Sequence, residues 1–291
     1  VMLWVCPFVS ADSDVYRELE KKGIFMLDET EKPAMVRWWN GVSALLDLTN
    51  PESEKWFKGV LDGLIKDYGV DGFKLDAGDG RFYKGIKSLK EVNPNTHTEL
   101  FAKIGLSYPY NEYRATWKMG GQPLVQRLHD KSHDWEDLKK LIPHMLLEGI
   151  MGYPFSCPDM IGGGYFLSFL DDAPIDQELV VRSTQVHALM PMMQFSVAPW
   201  RILDKRHFNA VLDAVNLREK FKETILTLAK KASINGEPIV RSMEYVYPHK
   251  GYVYITDQFM LGNSILVAPY LSKGEGSRKV ILPKGTWKSD A

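Results

Sequence analysis

The chain has 291 residues, with 36 Lys and Arg against 37 Asp and Glu and a formal net charge of −1. Hydrophobic residues at 45% and charged residues at 25% exclude a disordered tail or a collagen-like repeat, and two cysteines exclude a disulfide scaffold. The balanced charge carries no electrostatic footprint for nucleic acid, and no apolar run reaches the about 18 residues that would indicate a membrane span.

The chain opens on Val1-Met2-Leu3-Trp4-Val5-Cys6-Pro7-Phe8, which reads as a buried strand with no initiator methionine or signal peptide ahead of it. It closes at Gly285-Thr286-Trp287-Lys288 without a capped helix. Both ends read as cuts in a longer polypeptide, which leaves localisation illegible. A helix is predicted over residues 13–22. Asn50 suits an N-cap, Pro51 the first helical position, and Glu52 and Glu54 the positive end of the dipole, so a second helix is predicted to run to Tyr68 and stop at Gly69. Residues 70–76 form the next predicted strand, ending on Asp76. Further strands are expected at Thr98–Phe101, Pro123–Leu128, Gly149–Phe155 and Met192–Val197, with helices at Trp135–Leu147 and Asp176–Met190 between them.

This βαβα rhythm argues for a parallel sheet, with Asp76, Asp79, Asp130 and Asp159 recurring just after strands. In a (β/α)8 barrel those positions open on one face. A doubly wound sheet shares the rhythm, but the chain has no G-x-G-x-x-G or P-loop turn, and Gly162-Gly163-Gly164 is a weak signal. After Asp204 the pattern changes. A helix at Phe208–Ala232 precedes short strands expected at Tyr245–Tyr247, Tyr252–Thr256, Ser264–Pro269 and Lys279–Leu282. The expected architecture is an α/β (β/α)8 TIM-type barrel over residues 1–203. Residues 204–291 then supply the last barrel helix and the start of a C-terminal antiparallel β-sandwich domain.

A carboxylate at the end of a buried strand needs a partner. Asp76 either caps the following loop, pairs with Lys74, or serves catalysis. In His129-Asp130-Lys131-Ser132-His133-Asp134-Trp135, Ser132 or Asp134 explains itself as a helix cap, whereas Asp130 does not. Two strand-end carboxylates fit glycoside hydrolysis, which in a retaining enzyme sets them roughly 5–5.5 Å apart. His129 and His133 beside Asp130 and Asp134 offer a weaker metal-binding alternative. Cys6 and Cys157 are either buried thiols or, in an oxidising compartment, a disulfide. A G-x-S-x-G nucleophile elbow is absent. Trp38 and Trp39 either stack on a sugar or pack under a loop.

These segments together resemble glycoside hydrolase family 31. Trp38-Trp39-Asn40-Gly41 with Asp47-Leu48-Thr49-Asn50-Pro51 resembles the stretch before that family's nucleophile strand, and Gly69–Asp76 looks like the strand itself. Tyr113-Arg114-Ala115-Thr116-Trp117 is similar to the arginine segment ahead of the acid/base, Asp130 with Trp135 to the acid/base spacing, and Asp159-Met160-Ile161-Gly162-Gly163 to a D-I-G-G motif with one residue added. Arg182, Gln185 and Pro191 match the helix before the last barrel strand. Asp257–Gly262 and Leu266–Pro269 resemble the opening of the C-terminal domain.

Within the family the two carboxylate segments look most like the myogenesis-regulating glycosidase branch, which implies α-galactoside cleavage. The W-x-G-D-N form of ordinary α-glucosidases is absent, and Gln194 and Ser196 replace the Arg and His of their R-x-H motif. The resemblance implies that the first barrel strand and an N-terminal β-sandwich are missing from this chain, and it implies a retaining mechanism with Asp76 as nucleophile and Asp130 as acid/base. It implies that Arg114 binds sugar hydroxyls, that Lys74 and Asp79 hold Asp76 ionised, that Asp159 takes a hydroxyl, and that Trp38 or Trp39 stacks on the ring. No metal or organic cofactor is expected, and the expected partner is an oligosaccharide or glycoside. The alternatives are an α-glucosidase, α-xylosidase or transglycosylase of the same family, or a non-catalytic carbohydrate-binding barrel.

Overall fold

The opening run does not form one strand. It divides into β1 (Met2–Val5) and β2 (Phe8–Ser10), with Pro7, which has no amide hydrogen for a ladder, between them. The computed structural model describes residues 1–164 and 175–289. They fall into two units, Val1–Gln126 and Arg127–Ala291.

In the first unit, α1 (Asp14–Lys22) is capped by Ser13, whose Oγ accepts the Tyr16 amide at 3.0 Å. β3 (Met35–Trp38) and β4 (Gly41–Leu45) form a hairpin through Trp39-Asn40, and β2 joins it in the order β2-β4-β3. α2 (Pro51–Tyr68) follows the expected grammar: the Asn50 side chain accepts the Glu52 amide at 3.0 Å, and Gly69 closes the helix at φ 66°. β5 (Gly72–Leu75) leads through a 3-10 turn at Gly80–Tyr83 into α3 (Pro94–Gly105). Thr98–Phe101, expected as a strand, lies inside α3. Asn93 caps it, Pro94 starts it, and Thr98, Phe101, Ala102 and Gly105 bury at helical spacing. β6 (Tyr110–Tyr113) and β7 (Val125–Arg127) extend a parallel sheet in the order β1-β5-β6-β7. β1 lies at its edge, so its residues alternate between exposed and half-exposed and are not buried as expected.

In the second unit, α4 (Trp135–Ile150) is capped by Asp134. It carries on through Gly149, so no strand forms over Gly149–Phe155. A Cβ at Gly149 would stand 2.9 Å from Pro238 Cβ, so the helix sits tightly on that segment. β8 (Ser156–Cys157) holds the chain leaving β7 through Leu128 N–H to Cys157 O, 2.9 Å. β9 (Met160–Ile161) and, after α5 (Gln177–His187), β10 (Gln194–Phe195) pair in parallel. α6 (Pro199–Ile202) precedes the long α7 (Lys205–Asn235).

β11 (Val240–Arg241), α8 (Met243–Val246), β12 (Phe259–Leu261) and β13 (Ile265–Val267) follow, the three strands forming an antiparallel sheet. Tyr245–Tyr247 is thus not a strand, because Ser242 caps a helical turn there. Tyr252–Thr256 is a turn, with Ile255 N–H on Tyr252 O. Lys279–Leu282 forms no strand: the Gln258 side chain satisfies both the amide and the carbonyl of Ile281, at 3.1 and 2.8 Å, in place of a ladder. One core joins Ile142 and Met145 of α4, Val186 of α5, Ile225 of α7, and Phe259 and Leu261 of β12. This shared core makes the C-terminal strands part of the same unit as α4.

Candidate active site

Strand alternation selects the residues of the first cluster. Trp4, Lys74 and Glu112 stand opposite one another in the registers of β1, β5 and β6. Asp76 and Arg114 lie two residues further along, on the same face. Phe73, Leu75 and Tyr113 point the other way and are fully buried, which locks that alternation in place.

Asp76 is buried at the end of β5. The Trp4 indole Nε1–H donates to Asp76 Oδ2 at 2.7 Å, and the Ala77 amide donates to Oδ1 at 2.9 Å. Arg114 Nε lies 3.7 Å from Asp76 Oδ1, and its Nη2 contacts both oxygens of Asp79 at 3.1 and 3.3 Å. One guanidinium therefore serves two of the predicted carboxylates. Lys74 pairs with Glu112 at 3.5 Å instead. Cys6, opposite the end of β5, is half-buried; burial chiefly pushes its thiol up to about 11, with the negative charge of Asp76 adding to the shift. Cys6 and Cys157 are both thiols.

The loop after Asp76 is held in an unusual conformation. Ala77 has φ 58°, a region that costs a residue with a Cβ roughly 1–2 kcal/mol. Gly78 follows at φ 73°, where a Cβ would come within 2.6 Å of the Phe101 ring, and its carbonyl accepts Thr98 Oγ1 at 2.6 Å. Packing against α3 thus holds the backbone that aims the Ala77 amide at Asp76.

The two tryptophans differ. Trp38 is half-buried edge-to-face against Phe8, donates its Nε1–H to Ser43 Oγ, and stacks on Trp4 with centroids 6.0 Å apart and planes 10° apart. Trp39 is 51% exposed, and the Arg114 guanidinium lies 4.4 Å from its ring centroid. One face of Trp39 is therefore already covered by a cation.

The second cluster is built around Arg127, at the end of β7. Its Nη1 lies 2.6 Å from Asp159 Oδ1 and 2.9 Å from Asp130 Oδ1. Burial works against this cation, but the charges of Asp159 and Asp130 outweigh it and raise its affinity for the proton. Asp159 is 0% exposed and has φ 70°. Its second oxygen accepts the Lys131 amide at 2.7 Å. Burial pushes the Asp159 carboxyl up, against Arg127 and the loop amides. The carboxylate of Asp130 is 46% exposed. Gly163 and Gly164 pack on its loop. A Cβ at Gly163 would meet Lys131 O at 2.5 Å, and one at Gly164 would meet the Asp130 carboxylate at 2.8 Å.

Below that loop, the buried Lys131 places Nζ 3.1 Å from His144 Nδ1. Burial pulls the Lys131 ammonium down and pushes Glu148 up to about 8. Among the described residues no group of three or more His, Cys, Asp or Glu side chains is arranged to hold a metal ion, and no helix is long and apolar enough to cross a membrane.

Trp4 and Arg127 escape a reading of motifs. Trp4 is found only from its register opposite Lys74. Arg127 stands three residues before Asp130, but nothing local shows that it also reaches Asp159.

Parallel β/α units that deliver acidic side chains to strand ends, followed by an antiparallel sheet, define a TIM-barrel domain with a C-terminal β domain. Residues 1–228 match the Glycosyl hydrolases family 31 TIM-barrel domain and residues 236–289 the family 31 C-terminal domain, and the chain belongs to glycosyl hydrolase family 31. It is 35% identical to the myogenesis-regulating glycosidase of Mus musculus, over 99% of this chain and 42% of that protein. It is 27% identical to the SITS-binding protein of Tetronarce californica, over 97% of this chain and 42% of that one. The chain therefore spans about two fifths of the length of these relatives. Among solved structures, a family 31 dextranase from Flavobacterium johnsoniae complexed with glucose shares the fold at TM-score 0.82 and 22% identity, over 94% of this chain and 37% of that one.

Proposed function

We propose that the chain supplies the catalytic carboxylates of a retaining α-glycosidase that removes a terminal α-linked hexose, with an α-galactoside as the preferred substrate. Asp76 attacks the anomeric carbon and forms a glycosyl ester. Asp130 protonates the leaving oxygen and then takes a proton from the attacking water. Arg114 orients Asp76 and Asp79 and meets sugar hydroxyls. Trp39 offers its open face to the ring, with Trp38 behind it. Lys74 acts through Glu112 on the same sheet face, and Asp159 acts through Arg127 on the placement of Asp130.

The observation that carries this reading is the environment of Asp76: a buried carboxylate at a strand end, with each oxygen accepting an N–H and a guanidinium alongside. A carboxylate so held stays in one orientation, as in-line attack requires. The galactoside preference rests on the 35% identity to the myogenesis-regulating glycosidase and on Gln194 and Ser196. The relative named for binding SITS favours a second reading, a non-catalytic binding barrel.

The test compares nitrophenol release from aryl α-galactoside and aryl α-glucoside by the full-length protein, with Asp76→Asn as control. Faster release from the galactoside, reduced on the order of 10³-fold or more in the variant, is expected. Preference for the glucoside discards the galactoside assignment and keeps the mechanism. Sugar binding without release from either substrate favours the binding barrel.

A further inference from the structure

Trp4 stands opposite Lys74 in the register of β1 and β5, on the sheet face that carries Asp76. An indole has one polar hydrogen. In Trp4 it is directed at Asp76 Oδ2, 2.7 Å away. The ring is held in that pose by its stack on Trp38, which is fixed in turn by the Trp38 hydrogen bond to Ser43. The other oxygen of Asp76 already has the Ala77 amide. Trp4 therefore reads as a donor matched to the charged form of one carboxylate.

We propose that Trp4 stabilises the Asp76 carboxylate as the leaving group of deglycosylation, and so sets the lifetime of the glycosyl-enzyme; this rests on the reading of Asp76 as nucleophile. In the first step an Asp76 oxygen forms a bond to the anomeric carbon, the glycosidic C–O bond breaks, and the leaving oxygen takes the proton of Asp130. The carboxylate loses its charge, and the Trp4 hydrogen bond weakens. In the second step the water oxygen bonds to the anomeric carbon, its proton passes to Asp130, and the ester C–O bond breaks with its electron pair returning to Asp76. The Trp4 N–H regains an anionic acceptor as that charge develops. Hydrogen bonds to ions are roughly twice as strong as neutral ones, so the donor favours the second step over the first. Trp4 is thus a positioning and charge-stabilising residue for the nucleophile.

The test uses full-length wild type, Trp4→Phe and Trp4→His. The substrate is whichever of the dinitrophenyl α-galactoside and α-glucoside the wild type turns over faster; with so good a leaving group the second step limits turnover. Phenylalanine keeps the stack on Trp38 and loses the donor. Histidine loses half of the stack but places its Nε2 where the indole carries Nε1. Trp4→Phe is expected to lower kcat by about 5- to 50-fold and to lower KM with it. Intact-mass spectrometry should then find the protein heavier by one hexosyl group during turnover. Trp4→His should recover part of kcat despite poorer packing, which a structural role does not predict. An unchanged kcat, a fall in kcat/KM without accumulation of the adduct, or a histidine variant no better than phenylalanine overturns the proposal and leaves the reading of Asp76 standing. A wild type that hydrolyses neither substrate, or forms its adduct elsewhere than Asp76, overturns that reading and this proposal with it.

Discussion

Arg127 and Asp159 meet at 2.6 Å with both side chains out of contact with solvent. The same guanidinium nitrogen reaches the exposed Asp130 at 2.9 Å. A buried ion pair thus holds a charge directly behind the proposed acid/base, and Asp159 is the anchor that keeps it there. Removing one partner of a buried pair takes away the charge that offsets the desolvation of the other. Asp159→Asn in the full-length protein is expected to lose about 3–5 kcal/mol in urea unfolding. Arg127→Met should cost a comparable amount, and the double variant less than the sum. Additive losses would mean that the two do not act as a unit.

Gly164 bears on Asp130 by shape alone. A Cβ there would stand 2.8 Å from Oδ1 and 2.9 Å from Cβ of Asp130, so rotation of the carboxylate cannot relieve the contact. Gly164→Ala should reduce kcat/KM up to about 100-fold, since a displacement of roughly 1 Å is enough for that. Its melting temperature should fall by only a few degrees. Wild-type kinetics would mean that the loop carrying Asp130 yields freely.

Asp130 itself is tested by leaving-group dependence. A residue that donates a proton matters least when the leaving group needs none. Asp130→Ala should slow a poorly activated alkyl glycoside by about 10²–10⁴-fold. The first step on a dinitrophenyl glycoside, followed as the pre-steady-state burst, should be much less affected. Equal losses on both substrates would remove Asp130 from the acid role.

Two groups whose charged forms are disfavoured by desolvation give stability a pH dependence of opposite sign. Burial pulls His187 down from 6.5 to about 4. Between those values the unfolded chain binds the extra proton, so stability falls as pH falls. Burial pushes Glu148 up from 4.5 to about 8. The folded chain then holds the extra proton over that range, so stability falls as pH rises. The two oppose each other from about pH 4.5 to 6.5, and Glu148 acts alone above it. Urea unfolding should show a loss of about 2 kcal/mol between pH 6.5 and 8, absent in Glu148→Gln. A decline that survives in the variant would assign it to another group.

Helix starts were legible where a cap and a helical stripe agree, as at Ser13, Asn50 and Asp134. Asn93-Pro94 carries the same signal as Asn50-Pro51, but the short apolar run behind it reads equally well as a strand. The hairpin of β3 and β4 stayed hidden because Trp38-Trp39-Asn40-Gly41 reads as a sugar platform, while its middle two residues, Trp39-Asn40, are the turn. In the C-terminal region Gln258 takes the place of a strand partner, which no periodicity reveals.

The sequence by itself determined the alternation of strand and helix, the acidic residues at strand ends and the family, because each is written in neighbouring residues. Only the tertiary structure decided how those acids are joined: Arg114 to Asp76 and Asp79, Arg127 to Asp130 and Asp159, and the Trp4 indole to Asp76 across 72 residues of chain. Such partnerships depend on the register of strands far apart in sequence. A shift of one residue turns every side chain of a strand to the other face, and nothing local to Trp4 or Arg127 records which register the sheet adopts.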